Sequence, residues 1–92
     1  MLSNDLEHFY GARWVAEQRI LREFYAVVDG SNTGLLKPDP HAFLLAAHQL
    51  GVAVTDPVFL GGQVWNTDAA AALGAAAIWV DITPPPLAAP WD

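Results

Sequence analysis

The sequence predicts an α/β domain built on a parallel sheet. Short, wholly apolar runs (the VV of YAVVDG at 25–30, VFLG at 58–61, AAIWV at 76–80) alternate with segments of about ten residues whose apolar positions recur at helical spacing. Strands without a polar face need cover on both sides, which is the situation of parallel βαβ units. The breaks between segments fall at Asp29-Gly30, KPDP, Gly51 and Gly74, where glycine and proline end regular structure.

Taken in order, Met1 to Ser3 reads as the end of a strand, because Ser3, Asn4 and Asp5 are all helix N-cap types. In LEHFYGARWVAEQRILREF the positions Leu6, Phe9, Tyr10, Trp14, Val15, Ile20, Leu21 and Phe24 follow a helical period that is interrupted at Gly11, which predicts two short helices. YAVVDG predicts a buried strand of about four to five residues, and SNTG a loop. Pro38 and Pro40 suit a first helical turn, and HAFLLAAHQLG carries Phe43, Leu44, Ala47 and Leu50 on one face before Gly51 stops it. After a turn at Thr55 to Pro57, VFLG is a strand, NTDAAAALG a helix ended by Gly74, and AAIWVDI a strand. The domain is placed at 1–83, with 84–92 as a proline-rich irregular tail; no repeat or second domain is visible.

With 92 residues, a single domain buries about 60% of its unfolded surface, so its stability margin is thin. Hydrophobic residues at 53% and charged residues at 15% place the chain among folded globules. A net charge of -6 with four basic residues (Arg13, Arg19, Arg22, Lys37) argues against nucleic acid as a partner. Cysteine is absent, which excludes disulfides and thiolate chemistry. No apolar run reaches the roughly 18 residues of a membrane span, and MLSND has no signal-peptide character, so the expectation is a cytoplasmic chain without membrane contact.

Three stretches, SND at Ser3–Asp5, GLLKPDPHAF at Gly34–Phe43 and FLGGQVWNTDAA at Phe59–Ala70, occur in that order over Ser3 to about Asp81. Together they resemble the C-terminal half of a haloacid dehalogenase (HAD) superfamily hydrolase, in the capped subgroup of dehalogenases and phosphatases. The resemblance implies a partial HAD-type Rossmann-like parallel sheet with flanking helices. It implies that Ser3 and Asn4 hold the phosphoryl or carboxylate group of a small anionic substrate. Lys37 would offset the charge on nucleophile and phosphate. Hydrolysis in the family runs through an aspartyl intermediate with magnesium. Two departures stand against activity: no counterpart of the first strand, with its nucleophilic aspartate, or of the cap precedes Ser3, and Gly62 stands where the family has a metal-holding acid. Asn66 remains at the later polar position. An in-line attack needs an anionic nucleophile, and phosphoryl transfer a cation. The expectation is a hydrolase fragment or degenerate member, inactive alone and binding no magnesium by itself. The alternatives are a non-catalytic anion-binding or partner-docking module, or half of a split enzyme.

Each residue also has a plainer reading. Ser3 and Asn4 are cap residues as well as anion donors; Asn66 and Asp68 fit the first turn of the following helix, and Asp39 that of its own. His8, His41 and His48 have no ligand spacing. Trp14, Trp65 and Trp79 read as packing residues, and Trp91 falls in the tail. Gly61 and Gly62 are either a backbone anion nest or turn glycines chosen for dihedral freedom.

In the family's strand order, the Ser3 and YAVVDG strands would lie on one side of an empty slot, with VFLG and AAIWV on the other. Unpaired buried backbone groups cost about 1–3 kcal/mol each, against a stability of about 5 kcal/mol for a small domain. Three outcomes are open: VFLG pairs directly with the Ser3 strand, a partner chain or second copy completes the sheet, or the sequence is part of a longer reading frame.

Overall fold

The computed structural model describes residues 1–81; the tail at 84–92, with Trp91, and the last two residues of the predicted domain lie outside the described residues. The order of elements is β1 (Leu2–Ser3), α1 (Leu6–Tyr10), α2 (Ala12–Glu17), a 3-10 turn (Arg19–Glu23), β2 (Val28–Asp29), α3 (Gly30–Thr33), α4 (Pro40–Leu50), β3 (Val58–Gly61), α5 (Val64–Ala72) and β4 (Ala76–Trp79). The α/β class with parallel pairing is as the sequence predicts. No described helix is long and apolar enough to cross a membrane.

The strands form two separate sheets, β1–β2 and β3–β4. In the first, Leu2 lies opposite Val28 and Ser3 opposite Asp29; in the second, Val58 to Gly61 run opposite Ala76 to Trp79. VFLG therefore does not pair with the Ser3 strand. β1 and β3 each keep one edge outside the ladders.

The helical break falls at Gly11, whose φ of +83° is open to glycine and strained for other residues. Gly51 ends α4 in the left-handed region, and the Asp39 side chain caps its start by accepting from His41 N–H. Asp39 is thus the N-cap itself and not a residue of the first turn.

Three local expectations are corrected. The YAVVDG strand shrinks to Val28–Asp29, since it has a partner only opposite Leu2 and Ser3. SNTG is a one-turn helix and not a loop, because Asp29 accepts from Ser31 N–H at its start and Gly34 closes it in the left-handed region. The helix expected from Asn66 begins two residues earlier, at Val64, with Gln63 in the cap position.

Among the described residues the buried apolar ones are few: Val28, Ala42, Phe43, Ala47 and Ala70. Phe43 of α4 meets Phe59 of β3 edge to face at 5.1 Å, which ties the second sheet to the central helix. α1, α2 and the 3-10 turn bury no residue fully. Trp14, Trp65 and Trp79, expected as packing residues, are all more exposed than buried helices and strands require. Tyr10 and Trp14 stack at 4.4 Å on this open surface.

Candidate functional site

The C-terminal ends of β1 and β3 converge on a pocket of about 430 Å³ whose polar lining is Ser3, Asn4, Asp5, Lys37, Gln63 and Asn66. Carboxyl ends of parallel strands are where open α/β sheets place ligands, because loops and helix starts meet there. Ser3, Asn4, Lys37 and Asn66, singled out in the sequence, all border this one pocket; Gly62 does not.

Lys37 is placed by its backbone. Its N–H donates to Asn4 Oδ1 at 2.7 Å, and its carbonyl accepts from Asn4 Nδ2 at 3.1 Å. Both ends of the Asn4 amide are therefore engaged with Lys37, so Asn4 positions the lysine and keeps one N–H of its amide outside that clamp. The Lys37 ammonium donates to Leu2 O at 3.1 Å and lies 5.9 Å from the centre of the Phe59 ring. Burial pulls its pKa below the usual lysine value, while the negative charge of Asp5 works in the opposite direction. The following peptide, Lys37–Pro38, is cis.

The Ser3 hydroxyl has no protein hydrogen-bond partner among the described residues, which leaves it available to a ligand. Neither Ser3 nor Asn4 caps α1. That task falls to Asp29, whose carboxylate accepts from Leu6 N–H at 3.0 Å and Glu7 N–H at 2.8 Å as well as from Ser31 N–H at 3.1 Å. Burial alone would raise the Asp29 pKa; the three N–H donors and the Ser31 hydroxyl outweigh it and hold the carboxyl below its usual value. Sequence reasoning passed over Asp29 because its partners lie more than twenty residues upstream.

Asn66 is 5% exposed and sits inside α5, so it is not the N-cap of that helix. Its Nδ2 donates to Gln63 Oε1 at 3.0 Å, while its Oδ1 is buried with no partner. Gln63 is the lining residue missed in the sequence; its spacing of three from Asn66, which sets both on one helical face, was the available signal. Asp68 is exposed and does not line the pocket.

The glycine turn has neither of the expected roles. Gly61 is the last residue of β3, its carbonyl accepting from Val80 N–H at 2.8 Å, and neither Gly61 nor Gly62 takes a positive φ. Gly62 O accepts from Trp79 Nε1 at 3.2 Å. A Cβ on Gly61 would press on Phe59 and Thr67, so close packing is what requires glycine there.

The residues present do not fit magnesium. That ion demands six oxygens in near-ideal octahedral geometry at about 2.0–2.1 Å. The pocket offers one exposed carboxylate, Asp5, the Ser3 hydroxyl and one isolated buried amide oxygen, Asn66 Oδ1. Among the described residues no group of three or more His, Asp or Glu side chains converges on a point. His41 pairs with Asp39 at 3.0 Å, away from the pocket.

No family model matches the chain, and no curated protein matches it.

Proposed function

We propose that the chain is a haloacid-dehalogenase-like hydrolase module, degenerate or a piece of a larger one, that holds a small anion and performs no hydrolysis by itself. The observation that carries this reading is the meeting of Ser3, Lys37 and Asn66 in one pocket at the ends of β1 and β3. These residues come from a strand end, a pre-helix loop and a first helical turn, in the order the resemblance implies.

In this reading the Lys37 ammonium supplies the positive charge, and Asn4 fixes where that charge stands. The Ser3 hydroxyl donates to the anion. Half burial strengthens the attraction, since a charge pair near a protein surface feels an effective dielectric well below that of water. Hydrolysis through an aspartyl intermediate needs a carboxylate aimed in line at the scissile bond. The carboxylate at this pocket, Asp5, is exposed and shares its charge with Lys37, so it opposes an incoming anion.

Hydrolysis of a generic aryl phosphate, with and without magnesium, tests the proposal. The expected release matches that of buffer in both conditions. Turnover that disappears in Lys37→Ala would overturn it.

A further inference from the structure

The segment 6–25, which carries α1, α2 and the 3-10 turn, is joined to the rest of the fold at one end. None of its residues is buried, and Phe9, Tyr10, Ile20 and Tyr25 are all 57% exposed or more. α1 rests against α3, and α2 against α1. The hydrogen bonds that tie the segment to later parts of the described chain all fall in the first turn of α1. Leu6 and Glu7 N–H donate to the Asp29 carboxylate, and His8 N–H donates to Ser31 Oγ at 3.1 Å. Side chains further along satisfy groups within the segment: Arg13 donates to Glu17 Oε1 at 3.2 Å, Gln18 to Trp14 O at 3.0 Å and Arg22 to Ala16 O at 3.2 Å. The stack of Tyr10 on Trp14 holds α2 to α1 across Gly11. The segment is thus coherent within itself and fastened where α1 begins.

The fastening itself belongs to the buried part of the chain. Asp29 is 5% exposed, Ser31 N–H donates to it, and Gly30 between them packs so closely on Asn4 O that a Cβ there would collide with it. A part of a structure with few buried apolar contacts opens at a lower free energy than the whole. At this fastening a cleft of about 640 Å³ separates α1 from α3, lined by Asp5, Glu7, His8, Phe9, Ser31 and Asn32 among others. Asn4 and Asp5 line this cleft and the anion pocket alike. Asp5 is the root of the segment, its carbonyl accepting from Phe9 N–H at 3.1 Å, and its carboxylate acts on the Lys37 ammonium.

We propose that the segment 6–25 is an arm that opens as one unit while α4, α5 and the β3–β4 sheet stay folded, that Asp29 and Ser31 are its latch, and that the closed arm keeps Asp5 near Lys37 and so restrains the anion pocket. Opening parts the walls of the cleft and releases Asp5. The ammonium then meets an incoming anion without a competing carboxylate. That last step rests on the reading of the Lys37 pocket as an anion site; the arm and its latch do not.

Hydrogen exchange of the full 92-residue chain, in urea below the unfolding transition, tests the arm. The amides of Val15, Gln18 and Leu21, bonded within the arm, should exchange through an opening with little urea dependence. Those of Ala46, Ala47 and His48 in α4 should exchange through one with a steep dependence, because it exposes the core. A single opening shared by both sets, or an arm with no protection, would overturn the proposal. Asp29→Asn should speed exchange in the arm about tenfold or more, and Ser31→Ala about two- to tenfold. Ser31→Ala carries the test should Asp29→Asn fail to fold, and an arm unchanged by loss of the latch would overturn that role. Ala47→Gly should speed exchange in α4 about fivefold or more and leave the arm as it was. An equal effect on both sets would overturn separate opening.

By reciprocity, an anion that binds better to the open arm must itself favour opening. Saturating inorganic phosphate, compared with sodium chloride at equal ionic strength, should speed exchange in the arm about twofold or more in the parent and not in Lys37→Met. Phosphate binding without this effect would overturn the restraint by Asp5 and leave the anion site standing. Absence of phosphate binding would overturn both, and the urea dependence would still decide the arm.

Discussion

The amide of Asn4 grips the backbone of Lys37 at both ends, accepting from its N–H at 2.7 Å and donating to its carbonyl at 3.1 Å. One side chain at the end of β1 thus sets the position of a lysine thirty-three residues later in the chain. The pocket has its charge where it does because of this clamp.

Asn4→Ala should therefore lower stability and anion affinity together. Two hydrogen bonds to a half-buried backbone are worth about 1–3 kcal/mol. Urea midpoints read the first effect and a phosphate titration the second. Unchanged affinity in a destabilised Asn4→Ala chain would show that Lys37 is held by other contacts.

Lys37→Met keeps most of the packing against Phe59 and removes a charge that burial disfavours. The expected change in stability is within about 1 kcal/mol, against a complete loss of anion binding. In the unaltered chain anion binding should fade as pH rises through the lowered Lys37 pKa, before the usual lysine value of 10.5. The neutral amine then attracts nothing. Affinity held constant to that pH would place the positive charge elsewhere.

Asp29 governs stability in acid. Its folded pKa lies below its ordinary value of 3.8, so its contribution is full above that value and is lost as pH falls through the folded pKa. Asp29→Asn should lower stability at neutral pH by about 1–3 kcal/mol, since α1 and α3 both lose their charged acceptor. The gap between variant and parent should narrow below about pH 4. Urea midpoints across the acid range check this, and a gap independent of pH would remove Asp29 from the account.

Phe43→Ala should leave little cooperative structure. Truncating a buried phenylalanine costs about 3–5 kcal/mol, and small domains hold about 5 kcal/mol in total. Few other apolar side chains among the described residues are buried, so the Phe43–Phe59 contact is a main tie between β3 and α4. A sharp thermal transition in this variant would show that the core lies elsewhere.

Much of this was legible in the sequence, and the reasons differ by element. α4 announces itself through Pro40, an apolar face and Gly51, all local signals. The break at Gly11 is equally local. α3 is hidden because its start is fixed by a buried carboxylate in the strand before it; α1 is legible as a helix, but its cap, the same Asp29 across the fold, is not. Lys37, Ser3 and Asn66 could be singled out through the resemblance of their stretches to those of a known family. Which way each side chain turns could not, so the engagement of Asn4 with Lys37 emerges only when the elements are packed.

The central claim is that Ser3 and Lys37, in the pocket that Asn66 also borders, form an anion site. Amide chemical shifts during a titration with inorganic phosphate, on the parent chain and on Lys37→Met, test it most directly. The account predicts saturable shifts at Ser3, Asn4, Lys37, Gln63 and Asn66 in the parent, and none at these residues in the variant. Shifts confined to other residues, or equal shifts in both chains, would contradict it.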